Sequence, residues 1–152
     1  MSESNRKIIV DAITRMLARR EHSMVEITAK LSQKGYEESE TAPIIDEFRE
    51  ANIQSDERFA EAMVRSAVAR GRGPRRLKAD LSQHDVSDSV ISQAIKEVAP
   101  DWFELALRVR VKKFGPATPD DFKDRQKQMQ FLQYRGFAQE QIQYAIRGDG
   151  TE

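Results

Sequence analysis

One short pattern occurs three times in the chain, at intervals of 50 and 51 residues. The copies read LSQKGY at 31–36, LSQHDV at 81–86 and LQYRGF at 132–137. Each copy begins with leucine, has Gly or Asp at its fifth position and ends on an apolar residue. A fixed period of this length indicates tandem units of secondary structure, each too small to bury a core alone. The chain is therefore predicted to fold as a repeat protein.

The first two units contain clear helix signals. Apolar residues recur at helical spacing over 9–17, and Ser23 with Glu26 has the pattern of a capping box for the next helix. In the second unit, Gly73 ends one helix and Pro74 suits the first position of the following one, where a missing N–H costs nothing. Ser87 is a candidate cap for the third helix of that unit.

The third unit follows the same plan. Its first helix is predicted to begin after Asp101 and to break at Gly115-Pro116, and the cap-plus-proline pattern at 118–121 predicts the start of its second helix. No segment shows the alternation typical of a strand. The predicted fold is all-α, with about nine helices in three tandem three-helix repeats that form an elongated, curved array. The predicted repeats are residues 1–53, 54–99 and 100–152.

Composition limits the environment and the chemistry. The chain has no cysteine, no apolar stretch long enough for a membrane span and no secretory pattern at its start, so we expect a soluble, cytoplasmic protein that makes no membrane contact. His22 and His84 have no spacing suited to a metal, and GRG at 71–73 lacks the rest of a phosphate-loop motif. His84 is interpreted as a surface polar residue. We expect neither catalysis nor a metal or cofactor.

The net charge is zero, but charge is unevenly distributed. Residues 1–64 contain 9 basic and 13 acidic side chains (net −4), and residues 65–135 contain 15 and 9 (net +6). Residues 136–152 contain one arginine and three acids (net −2). Such asymmetry is typical of a surface for an anionic partner, although charged runs can also be simple solvated faces.

The segment RGRGPRRLK at 70–78 has the highest density of positive charge. Its glycines are predicted to let a ligand approach the backbone, and guanidinium groups suit phosphate or carboxylate. Because basic residues recur in the other units, we expect a basic surface that follows the repeat. The candidate binding residues are Arg70, Arg72, Arg75, Arg76, Lys78, Arg108, Arg110, Lys112, Lys113, Arg125, Lys127 and Arg135, with Arg19, Arg20, Lys30 and Lys34 in the first unit.

The aromatic residues have two interpretations. Trp102, Phe103 and Phe114 occur at spacings that favour core packing, and core packing is also the prediction for Tyr134 and Phe137 beside the repeat turn. Stacking on nucleobases is the alternative for Tyr134, which lies beside the repeat turn.

The segment DERFAEAMVRSAVARGRGPRRLKADL at 56–81 resembles the signature region of the RecX family, regulators of the RecA recombinase. The likeness extends to MLARREHSMVEITAKL, DWFELALRVRVKKFG and FLQYRGFAQEQIQYAI, and so covers most of the chain. The family pattern of glycine at the repeat turn is broken by Asp85. The resemblance implies tandem three-helix repeats and a non-enzymatic protein that lies in the groove of the RecA–DNA filament.

The partners expected from this resemblance are the RecA filament and single-stranded DNA, with the protein acting as a monomer. Two other functions remain open on the residues alone. One is a general binder of single-stranded nucleic acid, and the other is a helical scaffold that binds acidic protein segments.

Overall fold

A computed structural model describes residues 3–148, and this part of the chain forms nine helices and no strand. The structure confirms the all-α prediction and the three tandem three-helix repeats. The helices are α1 (Glu3–Arg19), α2 (Met24–Gln33), α3 (Glu38–Glu50), α4 (Asp56–Arg70), α5 (Pro74–Gln83), α6 (Asp88–Val98), α7 (Trp102–Phe114), α8 (Phe122–Tyr134) and α9 (Gln139–Ile146).

The three copies of the repeated pattern are the C-terminal turns of α2, α5 and α8. The fifth residue of each copy has a left-handed backbone, with φ of 96° at Gly35, 55° at Asp85 and 97° at Gly136. In the first copy, the N–H of Tyr36 donates to the carbonyl of Leu31 (3.1 Å) and the N–H of Gly35 donates to Ser32 (2.9 Å). These two bonds are those of a Schellman motif, which satisfies the last carbonyls of a helix.

The leucine that begins each copy is fully buried, so the turn positions a core residue as well as ending a helix. The spacing of about 50 residues is therefore the spacing of three equivalent capped helix ends.

The chain divides into two compact units. Unit 1 comprises the residues up to Ala62 together with Ser82–Ala94, and unit 2 comprises Met63–Leu81 together with the residues from Ile95 onward. The second repeat thus contributes segments to both units. The core of unit 1 is made by α1, α2 and α3 through Ile9, Ala12, Ile13, Ile27, Leu31, Ile44, Ile45 and Phe48. The core of unit 2 is made by α7, α8, α9 and the turn between the last two, through Leu105, Ala106, Val109, Leu132, Phe137, Ile142, Ala145 and Ile146.

One predicted boundary differs from the structure. The cap-plus-proline pattern at 118–121 predicts that α8 starts near Thr118, but α8 begins at Phe122 with Asp121 as its N-cap. The carboxylate of Asp121 accepts the N–H of Asp124 at 2.7 Å. The carbonyls of Pro116 and Ala117 in the preceding loop accept hydrogen bonds from Arg110, a buried residue of α7.

A polar network in unit 1 holds the loop between α1 and α2. Ser23 caps α2 as predicted, because its hydroxyl accepts the N–H of Glu26 (3.0 Å). The carboxylate of Glu26 accepts hydrogen bonds from Arg20 (3.2 Å for one of them). Burial tends to raise the pKa of Glu26, but the hydrogen bond and charge of Arg20, with the nearby His22 and Lys30, lower it overall. In a capping box the Glu26 side chain would accept the backbone N–H of Ser23, but here it forms an ion pair with Arg20.

The two histidines of the chain both belong to this network. His84 is half-buried, and not at the surface as predicted, because its ring packs against Phe59 at 4.8 Å and its Nδ1 contacts the Ser23 hydroxyl at 2.8 Å. His22 is 2% exposed. Its Nδ1 lies 3.1 Å from the carbonyl of Arg20 and its Nε2 lies 3.2 Å from Nζ of Lys30. A carbonyl can only accept and an ammonium group can only donate, so these partners specify a neutral ring with the proton on Nδ1.

We expect the stability of this protein to fall as the pH drops below about 6.5, because burial lowers the pKa of His22. The unfolded histidine, with an ordinary pKa of about 6.5, then binds protons more readily than the folded one. The contribution of neutral His22 is complete above that pH and is lost as the pH falls. The free energy of unfolding, measured by urea denaturation between pH 7.5 and 5.5, should fall more steeply with decreasing pH for wild type than for His22→Gln. Equal dependence on pH in the two proteins would contradict this assignment.

The left-handed turns predict opposite effects for two substitutions. Asp85→Gly should stabilise the protein by about 0.5–1 kcal/mol, because glycine adopts positive φ without the Cβ penalty. Gly35→Ala should destabilise it by about 1 kcal/mol through the backbone alone, since no atom lies within 4 Å of the added Cβ. Thermal unfolding of both variants measures the difference, and a destabilised Asp85→Gly would show that the aspartate side chain is needed at the turn.

Candidate functional site

Unit 2 contains a cleft whose charged residues are all cationic. The cleft has a volume of about 370 Å³ and is lined by the end of α4, one face of α7 and the end of α8 with the turn that follows it. We call it the basic cleft. Its charged residues are Arg70, Arg108, Lys112, Lys113 and Arg135, and its apolar and small residues are Val68, Ala69, Gly71, Leu105, Val109 and Phe131.

Helical spacing explains why these cations share one wall. Arg108 and Lys112 are four residues apart on α7, so they lie on the same face, and Val109 and Leu105 beside them anchor that helix in the core. Arg108, Lys112 and Lys113 are exposed, as is Arg70 in the last turn of α4. No carboxylate lines the cleft. The cations are therefore available to an anionic partner.

Phe131 orients two of the cations. Nζ of Lys113 and the guanidinium carbon of Arg135 each lie 5.5 Å from the centre of its ring. The ring itself packs edge-on against Phe114, with 5.5 Å between the ring centres. Contact with an aromatic face holds a cation in place without neutralising its charge. Lys113 and Arg135 are thus positioned before any partner binds, and sequence spacing did not single out Phe131 for this role.

The Gly-Arg-Gly-Pro corner is packed against the repeat turn of the third unit. The N–H of Gly73 donates to the carbonyl of Arg135 (2.8 Å), and the N–H of Arg75 donates to Gly136 (2.9 Å). The guanidinium of Arg135 also donates to the carbonyl of Arg70 (3.3 Å). A Cβ at Gly73 would lie 2.5 Å from backbone atoms of Gly136 and Phe137. The prediction that these glycines admit a ligand is therefore wrong for Gly73, where the chain's own turn occupies the space.

We expect Gly73→Ala to destabilise unit 2 by about 1–3 kcal/mol, the usual cost of forcing extra atoms into a filled space. The backbone of Gly136 cannot move aside as a flexible side chain would. Urea denaturation followed by circular dichroism measures the change. Unaltered stability combined with weaker ligand binding would instead support the sequence-based prediction that Gly73 lets a ligand approach the backbone.

The remaining cations of the corner lie on or before α5. Arg75 and Lys78 are exposed, whereas Arg76 is half-buried, with its guanidinium carbon 5.9 Å from the centre of the Tyr134 ring. Arg72 is half-buried, and its Nε has no hydrogen-bond partner among the described residues. Substitution of Arg76 would therefore disturb local packing, whereas substitution of the Arg75 or Lys78 side chain would change only the surface charge.

Arg110 is not part of the basic surface. It is 0% exposed, and its guanidinium donates to the carbonyls of Ala145 (2.7 Å) and Ala117 (3.0 Å) and to the side chain of Gln128 (3.3 Å). Burial lowers the pKa of Arg110. The inclusion of Arg110 among the binding residues is corrected: its side chain fixes the loop before α8 and the end of α9, and cannot reach a partner.

The other predicted cations are dispersed. Lys127 lies on α8 near Asp124, Lys123 and the N-cap Asp121, and Arg125 is exposed on the same helix. In unit 1, Arg20 is paired with Glu26, and Lys30 lies 3.9 Å from the same carboxylate. The hydrogen bond and charge of Glu26 raise the pKa of Arg20 against the opposing effect of burial. Arg19 and Lys34 are exposed at the ends of α1 and α2. These cations therefore do not join the basic cleft, and several of them stay exposed elsewhere on the surface.

The aromatic predictions are right for some residues and wrong for others. Phe137 is buried in the core of unit 2, and Trp102 packs against that core. Phe103 is 40% exposed and contacts Tyr144. Tyr134 is 75% exposed, so the prediction of core packing is wrong for this residue.

Two other findings concern residues 3–148 only. No group of three or more His, Asp or Glu side chains there is arranged to hold a metal ion. None of the helices in that range is long and apolar enough to cross a membrane.

Three family models match in chain order. They describe the first, second and third three-helix domains of RecX and match residues 11–48, 55–95 and 100–146. The chain belongs to the RecX family. A relative named Regulatory protein RecX from Vibrio parahaemolyticus is 43% identical over 136 residues, which are 90% of this chain and 88% of the relative. Another of that name, from Halorhodospira halophila, is 39% identical over 135 residues, which are 89% of this chain and 84% of the relative.

Crystal structures of RecX proteins share the fold. One, described as regulatory protein RecX, superposes with a TM-score of 0.79 over 93% of this chain and 73% of its own, at 20% identity. RecX from Lactobacillus salivarius superposes with a TM-score of 0.76 over 96% of this chain and 97% of its own, also at 20% identity. The tandem three-helix plan of this chain is therefore the RecX fold.

Proposed function

We propose that this RecX-family chain regulates the RecA recombinase, with no catalysis of its own, by binding in the groove of the RecA–DNA filament through the basic face of unit 2. The basic face consists of the basic cleft together with Arg75, Arg76 and Lys78. The observation that supports the proposal most strongly is the cleft itself, where five cations occur without a carboxylate.

The chemistry of the cleft suits a polyanion. Arginine presents forked donors that match phosphate or carboxylate oxygens, and lysine adds a compact charge. Each phosphate that a protein neutralises releases counterions, so such binding weakens steeply with salt. The proposed anionic groups are the DNA phosphates of the filament, with carboxylates of the recombinase as the alternative that the experiment separates.

We expect the double variant Arg108→Ala/Lys112→Ala to weaken both filament binding and the inhibition of RecA's DNA-dependent ATPase. Both side chains are exposed, so folding should change by no more than about 0.5 kcal/mol per site. Titration of labelled single-stranded DNA, with and without RecA and at two salt concentrations, measures the effect. Each lost phosphate contact should reduce the log–log salt slope by about one, whereas a lost carboxylate contact should change it much less.

Lys96→Ala/Arg147→Ala is the matched control, since it removes two exposed cations from the same unit outside the cleft. Equal losses in both double variants would show that bulk charge, and not the cleft, drives binding. Tight binding of naked DNA with no effect on RecA would favour a general single-strand binder. Binding of acidic peptides without nucleic acid would favour the scaffold, and ATP hydrolysis by the protein alone would contradict the non-catalytic role.

A further inference from the structure

Tyr134 is the most exposed of the large apolar and aromatic side chains in the described part of the chain, at 75%. It is the last residue of α8, directly before the turn that packs on the Gly73 corner. An aromatic ring left in water forgoes the free energy that its burial would supply. The core of unit 2 therefore does not explain why an aromatic residue occupies this position.

The surroundings of Tyr134 are cationic. The guanidinium carbon of Arg76 lies 5.9 Å from the centre of the ring, which places the aromatic side chain against α5. Arg75 adjoins the same turn, because its N–H donates to the carbonyl of Gly136 (2.9 Å). The next residue along the chain, Arg135, lines the basic cleft. The tyrosine thus lies within the basic face.

At least one face of the Tyr134 ring is open to solvent. With three quarters of the residue's surface accessible, Arg76 can cover only part of one side of the ring. An open aromatic face among cations is the combination that single-strand binding proteins use, in which a base stacks on the ring while basic side chains hold the phosphates. An apolar protein partner would instead favour a neutral surrounding.

Phe122 provides a contrast on the same helix. It is 71% exposed at the other end of α8, where three carboxylates (Asp120, Asp121 and Asp124) lie beside it in the chain together with two cations, Lys123 and Arg125. The carboxylates outnumber the cations there, so this end of α8 offers a phosphodiester chain no excess of positive charge. An exposed aromatic ring is therefore common to both ends of α8, but of the two ends only the one at Tyr134 has cations in excess beside the ring.

We propose that Tyr134 stacks on an unpaired nucleobase and gives the basic face a preference for single-stranded over double-stranded nucleic acid. This inference rests on the proposed function, since it requires phosphates at the basic face. Bases within a duplex already stack on their neighbours on both sides and offer no free face. The cations supply affinity that is shared by both forms, and the tyrosine adds a contact that only the single strand can make.

The test is fluorescence anisotropy with a labelled oligothymidylate, an abasic oligonucleotide of the same length and a blunt duplex. Tyr134→Ala should weaken oligothymidylate binding by about 5- to 140-fold, the fold-change that corresponds to the 1–3 kcal/mol lost per stacked base at 1.4 kcal/mol for each tenfold. Binding of the abasic strand and of the duplex should stay as in wild type, and the salt slope should not change. Tyr134→Phe and Tyr134→Trp should retain the preference, whereas Tyr134→Leu should lose it.

Phe122→Ala is the matched control and should bind all three probes as wild type does. The proposal is overturned if Tyr134→Ala binds oligothymidylate like wild type, if it loses abasic and normal strands equally, or if wild type binds none of the probes. A Tyr134 effect on RecA binding in the absence of DNA would make the residue a protein contact and would also overturn it. If Arg108→Ala/Lys112→Ala loses binding while Tyr134→Ala does not, the basic face stands and only the stacking role fails.

Discussion

Two stretches of backbone in unit 2 pack directly on each other, and the basic face depends on this contact. Gly73 and Gly136 approach so closely that a single Cβ at either would collide, with Gly136 backbone in one case and with Arg76 in the other. Because backbone meets backbone, the N–H groups of Gly73 and Arg75 can pair with carbonyls of the turn. This arrangement fixes the start of α5 against the end of α8. The cations of α5, the ring of Tyr134 and the guanidinium of Arg135 are held together as a consequence.

The two arginines Arg108 and Arg110 show how one helix can supply both a surface and an interior. Two residues apart on α7, they point to different sides, since successive helical positions are about 100° apart. The exposed Arg108 keeps its hydration and offers its charge to a partner. Arg110 loses its water and is instead solvated by carbonyls of the last turn of α9 and the loop before α8. Those carbonyls carry partial negative charge, so a buried cation is tolerated there without a carboxylate.

The sequence predicts what local rules determine and misses what distant contacts determine. The period of Leu31, Leu81 and Leu132 and the position of Pro74 predict the helices, because caps and apolar spacing act within a few residues. The start of α8 is missed because two cap candidates, Thr118 and Asp121, lie three residues apart, and the structure uses Asp121. Spacing also cannot tell that Arg110 is interior or that the Gly73 corner faces a turn 63 residues away, because both depend on contacts between distant residues. Periodicity of charge indicates the basic segment, but only tertiary packing decides which cations remain available.

Under the proposed function, a chain of zero net charge that carries a local basic cleft would recognise polyanions by contact and not at long range. At physiological salt the Debye length is about 8 Å, so carboxylates farther than this from the cleft neither weaken nor strengthen its field appreciably. The electrostatic attraction of the cleft cations for a phosphate in contact with them is therefore little reduced by those carboxylates. The balanced total charge meanwhile gives little steering towards naked nucleic acid, whose capture by basic proteins is driven by the summed charge. Discrimination between a specific partner and naked nucleic acid would then depend on how many groups of the basic face the partner contacts at once. A partner whose shape presents several anionic groups to a single concave site is favoured.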